Sequence, residues 1–338
     1  MELGAVVVVP AREDLTTAML EAQPHALAAS ENRRPLYSSR MPILGNDALR
    51  PWMDCIRKLG LQSLWLTSGS RDTNVARSAL ARFARQGIER LLVIKLKSYA
   101  EMDLADLLRF HCESRNPVTE AQDARGQLGV CLLDHLALQA TGEKYQFSCA
   151  PTDSGRTPYQ FRGYAKRILS ARERQELVGD ALTGACALRP LGTQIREQVW
   201  IGDGADLASS VRVIGPTYIG ARTIVRAGAI IGPFASVEHD CVVDCGTTVQ
   251  RSTVLPHTYL APGILIRHGI VDGGQLEDLD WGTVADLQPA GLGGRIQQHE
   301  SRRQAFSEID VFSPPGRTTA WDFAPSSAAS QPWLQVQL

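Results

Sequence analysis

The stretch VIGPTYIGARTIVRAGAIIGPFASVEHDCVV, residues 213–243, carries an aliphatic side chain at every sixth position: Val213, Ile219, Val225, Ile231, Val237 and Val243. The phase persists outward, back through Leu207 and Ile201 to Ile195, and forward through Val249 to Leu255. Four places beyond each of these stands a small or β-branched residue, from Val199 and Ala205 to Cys241, Thr247 and Thr253, with Tyr259 as the exception. An amphipathic helix repeats every 3.6 residues and a half-buried strand every two. A sustained period of six predicts a parallel β-helix, in which each hexad supplies one short strand and one corner. The aliphatic residues fill a core along the axis, and the small ones fit the crowded corners. Three hexads, about 18 residues, make one triangular turn of the left-handed form that the pattern resembles. Eleven hexads therefore predict between three and four coils. Such a stack buries its core only between neighbours and needs capped ends. The phase stops at Leu260, and ILIRHGIVDGGQLEDLDWG, residues 264–282, reads as one irregular coil.

Upstream the grammar changes. GAVVVVPA (4–11) is a buried-strand run, and PWMDCIRKLGLQSLWLTSGS (51–70) reads as helix, glycine stop and strand. TNVARSALARFARQGIERLLVIKL (73–96) repeats that order. EMDLADLLRFHCESRN (101–116) predicts an amphipathic helix capped by Asp103, and GVCLLD (129–134) a further strand. Alternating strands and helices predict a mainly parallel, Rossmann-like sheet covered on both faces. The expected organisation is an α/β domain over 1–185, a left-handed parallel β-helix over 190–292 and a flexible tail over 296–338. That tail is rich in proline, serine and alanine, yet contains Trp321, Phe323 and Trp333.

Bulk properties exclude several function classes. A net charge of −1 over 338 residues gives no electrostatic case for nucleic acid or an anionic membrane surface. No apolar run approaches the roughly 20 residues of a membrane span. The opening MELGAVVVVPARE lacks the basic flank and cleavage site of a signal peptide, so a cytoplasmic location is expected. The seven cysteines (55, 112, 131, 149, 186, 241 and 245) show no metal-binding spacing and read as free thiols.

An α/β domain followed by hexapeptide coils resembles the sugar-phosphate nucleotidyltransferases, the NDP-sugar pyrophosphorylases, to about residue 295. PILGNDALRPWMDCIRKLGLQSLWLTS (42–68) is similar to the family's segment between its sugar-phosphate loop and second strand. MDLADLLRFHCESRNPVTEAQD (102–123) is similar to the helix after its metal-binding strand, and STVLPHTYLAPGILIRHGIVDGG (252–274) to its closing coil. The resemblance implies attack of a sugar phosphate on a nucleoside triphosphate, assisted by a glycine-rich loop, cations and a carboxylate that holds Mg²⁺. The chain departs from this pattern at three places. Where the family has a glycine-rich loop it reads VVVVPAREDLTTAML (6–20), with Pro10 at the turn and Arg12 as the cation. RPLYSSRMPIL (34–44) stands for the signature lysine segment, so Arg34 or Arg40 replaces the lysine. Lys97 and Ser98 stand where the metal-binding aspartate is implied. Arg12, Arg34, Arg40 and Lys97 are the expected phosphate- or nucleotide-binding residues, and no metal ligand is assigned. The expectation is a nucleotidyltransferase-like protein of polysaccharide or envelope sugar metabolism with weakened or lost activity.

VEHDCVVDCGTTV (237–249) carries a second resemblance, to the segment bearing the catalytic histidine in hexapeptide sugar acetyltransferases. It implies His239 as general base toward acetyl-CoA, oriented by Glu238 or Asp240, in a site between β-helices of a trimer. The structural alternative is a solvated corner histidine. His111, His257 and His268 read as packing or coil-end residues, and Tyr218 and Phe234 as contacts of the coil surface. A third expectation is a non-catalytic regulatory or scaffold subunit paired with an active pyrophosphorylase. The partners expected are a sugar phosphate or nucleotide and further copies of the chain.

Overall fold

The computed structural model describes residues 3–10, 42–46, 50–59, 63–69, 88–135, 137, 158–287 and 293–295. The valine run forms β1 (Leu3–Pro10). The next segment gives α1 (Arg50–Lys58) and β2 (Ser63–Gly69), in the order the glycine stop predicts. Then follow β3 (Arg90–Lys95), β4 (Ser98–Ala100) and α2 (Leu104–Ser114). Asp103 caps α2 as expected, its carboxylate accepting the Ala105 N–H at 2.9 Å. A hairpin of β5 (Val118–Asp123) and β6 (Gly126–Asp134) comes next. Two short strands, β7 (Tyr159–Gln160) and β8 (Ala165–Arg167), lead to α3 (Ala171–Thr183).

The main sheet runs β2-β1-β3-β6-β5-β7 and is mixed. β1 is parallel to both β2 and β3, whereas β6 is antiparallel to β3 and to β5. The expected parallel layer is thus its β2-β1-β3 part. The hairpin reverses the chain because Asp123 accepts the Arg125 N–H at 2.8 Å and Gly126 takes φ +111°, open to glycine at no steric cost. On one face, Leu92, Ile94, Val130 and Leu132 pack against Trp52 and Ile56 of α1 and Leu104 and Leu107 of α2. The alternating residues Leu91, Val93, Cys131 and Leu133 are buried as well, so the centre of the sheet is covered on both faces.

The C-terminal half is a parallel β-solenoid of about four turns, a left-handed β-helix. Val199 pairs with Thr217 and Thr217 with Ala235, a step of 18 residues per coil. Its core stacks three columns: Ile219, Val237, Val254 and Val271; Leu207, Val225, Val243 and Leu260; Val213, Ile231, Val249 and Ile266. Two hexad assignments need correction. Ile195 is 41% exposed, on the strand Thr193–Arg196, which pairs antiparallel with the first coil instead of entering its core. At the other end the step shortens to 17, because Val237 pairs with Val254 and Val243 with Leu260. Val254, not Leu255, fills the core there, and Leu255 packs outside it with Ala171, Ile270 and Leu279.

One outer face of the solenoid is covered. The outward column Trp200, Tyr218, Ser236, Thr253 and Ile270 runs beneath α3, whose Leu177, Val178, Ala181 and Leu182 cluster with Tyr218, Ile43 and Leu44. The Thr253 hydroxyl donates to Gln175 Oε1 at 2.7 Å, and Gln175 Nε2 donates to the Phe234 carbonyl at 3.1 Å. Tyr218 is therefore the surface contact expected of it. Among the described residues no helix is long and apolar enough to cross a membrane. The six described cysteines carry free thiols, and Cys149 lies outside the described residues. So does the tail over 296–338.

Candidate functional site

Because β1, β2 and β3 are parallel, their carboxyl ends share one edge. The chain passes from β1 to β2 on one side and returns to β3 on the other, which creates a topological switch point between β1 and β3. Ligands of open α/β sheets bind in such a crevice. Lys97 stands in the tight turn beyond β3. Its N–H donates to the Lys95 carbonyl at 2.7 Å, and its carbonyl accepts the Ile168 N–H at 2.9 Å. The next residue, Ser98, is buried, and its hydroxyl donates to the Leu128 carbonyl at 2.6 Å. The turn thus places the Lys97 backbone at the carboxyl end of β3 and turns the neighbouring hydroxyl inward. Arg12, Arg34 and Arg40, the other residues expected here, lie outside the described residues.

Two features of this sheet escaped sequence reading, one near this turn and one at the opposite end of β3. Arg167 pairs with Ser98 across β8 and β4, and its guanidinium grips Asp123 with bonds of 3.1 and 2.7 Å. The Arg167 hydrogen bonds outweigh burial and hold the Asp123 carboxyl below the usual range. His111 is buried, with Nδ1 2.7 Å from the Thr119 hydroxyl and Nε2 3.0 Å from Asp134. It is the packing residue expected, held by two polar partners. No spacing rule links positions 123 and 167 or 111 and 134; only the hairpin and the β4–β8 pairing bring them together.

The solenoid presents a second polar cluster at one corner. Arg222, Asp240 and His257 occupy the same corner position in three successive coils, with φ of +57°, +55° and +59°. His239 precedes Asp240, and its Nδ1 lies 2.9 Å from Asp240 Oδ2. Arg222 clasps the same carboxylate through Nε at 2.7 Å and Nη2 at 2.5 Å. Burial works against the Asp240 charge, but the Arg222 and His239 hydrogen bonds prevail and bring its pKa down to about 2. The His257 ring meets that of His239 edge-on, with centroids 5.2 Å apart. Asp240, not Glu238, is the carboxylate that orients His239. Cys241, the third member of the H-D-C run, is buried with its thiol directed at the Leu255 carbonyl, and burial pushes its pKa up. A thiol held protonated in this way is no nucleophile. His268 pairs with Asp280 at 2.6 Å, away from this corner.

Glu238 has a different task. It is fully buried, and its two carboxylate oxygens accept the backbone N–H groups of Leu44 and Gly45, each at 2.8 Å. Ser236 donates to it at 3.1 Å. Burial raises its pKa, an effect opposed by the Arg174 charge and by these hydrogen bonds. Arg174 in turn donates to the Pro42 carbonyl. The residue is thus the lock between the PILGN turn and the coils.

Comparison with known proteins yields no matching family model and no matching curated protein.

Proposed function

We propose that this chain is a sugar-phosphate nucleotidyltransferase-like protein of sugar-nucleotide metabolism, whose N-terminal layer binds a phosphorylated sugar or a nucleotide and has weakened or lost the transfer step. The observation that supports this reading is that Lys97 follows β3 in the turn at the carboxyl end of the parallel β2-β1-β3 layer. An ammonium at that edge attracts phosphate oxygens. The same turn does not suit the Mg²⁺ that the resemblance implies. Where an aspartate would hold it stand a cation and a hydroxyl already donating to the Leu128 carbonyl, so no step is derived through a metal there. Calorimetric titration of the full chain with nucleoside triphosphates and sugar 1-phosphates tests the reading. Binding is expected that weakens at least tenfold in Lys97→Glu, with pyrophosphate release at background. No binding of any phosphate compound overturns it, and rapid Mg²⁺-dependent pyrophosphate release overturns the loss of transfer.

The His239–Asp240 pair favours a second reading, an acyltransferase of the hexapeptide class working from acetyl-CoA between copies of the solenoid in a homotrimer. A carboxylate on Nδ1 fixes the tautomer that leaves Nε2 as a base. Acetyl-CoA consumption with sugar acceptors, abolished in His239→Ala, is the expected result under it; no consumption by the unaltered chain retires it.

A further inference from the structure

We propose that His239, Asp240 and His257 form a binding site for a divalent transition-metal ion of the zinc class, on the corner of the third and fourth coils. This goes beyond both functional readings and depends on neither. The three residues each offer one ligand atom, and these atoms all lie within 4.8 Å of one another. Sequence spacing conceals the grouping, because His257 is brought to His239 by the coil repeat. The Asp240 N–H donates to the Ala221 carbonyl at 2.9 Å and the His257 N–H to the His239 carbonyl at 3.3 Å, so the corners stack on a fixed backbone ladder.

The geometry fits a tetrahedral ion. With metal–ligand bonds of about 2.0–2.1 Å, neighbouring ligand atoms sit about 3.3 Å apart. His239 Nδ1 and Asp240 Oδ2 are 2.9 Å apart with a proton between them. Replacing that proton by a metal opens the pair by about 0.4 Å on this geometry. The His257 nitrogen, already within 4.8 Å of both, comes in by no more than about 1.5 Å to reach the same spacing. The ion displaces one proton, which leaves to solvent, and the fourth position falls to water because all three side chains are only partly buried. Arg222 keeps its two bonds to the carboxylate and holds it in orientation, since each carboxylate oxygen can accept more than one bond. Two imidazoles and one carboxylate select zinc, cobalt or nickel over magnesium or calcium, which take oxygen ligands.

Titration of the full chain with Co²⁺ under reducing conditions, followed by the visible absorption of tetrahedral cobalt and by calorimetry with Zn²⁺, tests the site. One ion is expected per chain, and either His239→Ala or His257→Ala is expected to lower affinity at least tenfold. His268→Ala, at the His268–Asp280 pair away from this corner, is expected to leave it unchanged. In the unaltered protein, Co²⁺ is expected to shift or broaden the ring resonances of His239 and His257 first, a readout that does not depend on the variants folding. No tetrahedral cobalt band, undiminished binding in the doubly substituted His239→Ala, His257→Ala chain, or first effects on other residues overturns the proposal.

Discussion

Glu238 reaches across 194 and 193 positions of chain to accept the N–H groups of Leu44 and Gly45. The same coil position is glycine in the preceding two coils, Gly202 and Gly220. There the neighbouring coil is so close that a Cβ would lie 2.4 Å from Ala221 N and 2.5 Å from His239 N, respectively. Where the PILGN turn arrives, a long carboxylate replaces glycine and converts a bare corner into a clamp. Its two oxygens satisfy two buried donors, and its charge faces Arg174.

Replacing Glu238 by glutamine removes the charge and sets an amide N–H₂ against one of the two backbone N–H groups. Loss of a buried charged partner of this kind costs about 2–4 kcal/mol. Urea unfolding at neutral pH is expected to show that loss, together with separation of the transition into two steps as the solenoid and the α/β layer uncouple. A single transition at unchanged denaturant concentration would show that the clamp contributes nothing.

Gly45 should tolerate no side chain. Its φ is +78°, and a Cβ there would stand 2.3 Å from the Tyr218 hydroxyl oxygen. Gly45→Ala therefore combines backbone strain of roughly 1–3 kcal/mol with a steric clash. In a Tyr218→Phe background the oxygen is gone, so the alanine is expected to cost less than in the unaltered chain. A double-mutant cycle in thermal unfolding reads the coupling, and purely additive effects would place the strain in the backbone alone.

His111 predicts a pH dependence of stability. Burial lowers its folded pKa, opposed by the Asp134 charge and hydrogen bond, with Arg90 lowering it further. The unfolded imidazole titrates near 6.5, so between the two values the unfolded chain binds more protons. The contribution is therefore fully present above about pH 6.5 and is lost as pH falls through the lower folded value. His111→Gln is expected to flatten that part of the stability profile. An identical acid limb in both proteins would assign the dependence to other groups.

How far the residues announce this structure depends on what each part rests upon. The coils are legible because each core side chain repeats a local requirement, and Val213, Ile219 and Val225 need only their place in the hexad. The phase misleads at both ends, where the physics changes. Ile195 keeps the spacing but belongs to an antiparallel cap, and Leu255 keeps it while one residue has dropped out of the corner before Val254. β6 is legible as the strand expected over 129–134, whereas β5 hides at the end of a run read as a helix segment, although the Asp-Ala-Arg-Gly turn between them is a local signal. The corner cluster is half legible. His239 stands out in its motif, whereas Arg222 and His257 join it only through the coil repeat. Glu238, adjacent to that histidine, reads as its orienting acid, and only the fold shows its carboxylate turned toward Leu44 and Gly45.

The corrected phase makes a sharp comparison between two isoleucines that the hexad count treats as equivalent. Ile219 is fully buried among Val237, Val254 and their neighbours, where truncation leaves a cavity that flanking coils cannot close. Ile219→Ala is expected to cost about 2–5 kcal/mol. Ile195, at 41% exposure on the capping strand, should lose no more than about 0.5 kcal/mol on the same change. Chemical denaturation of the two variants beside the unaltered chain decides the matter. Equal losses would return Ile195 to the core and with it the first of the eleven hexads, since only a side chain packed inside the coil leaves a cavity on truncation.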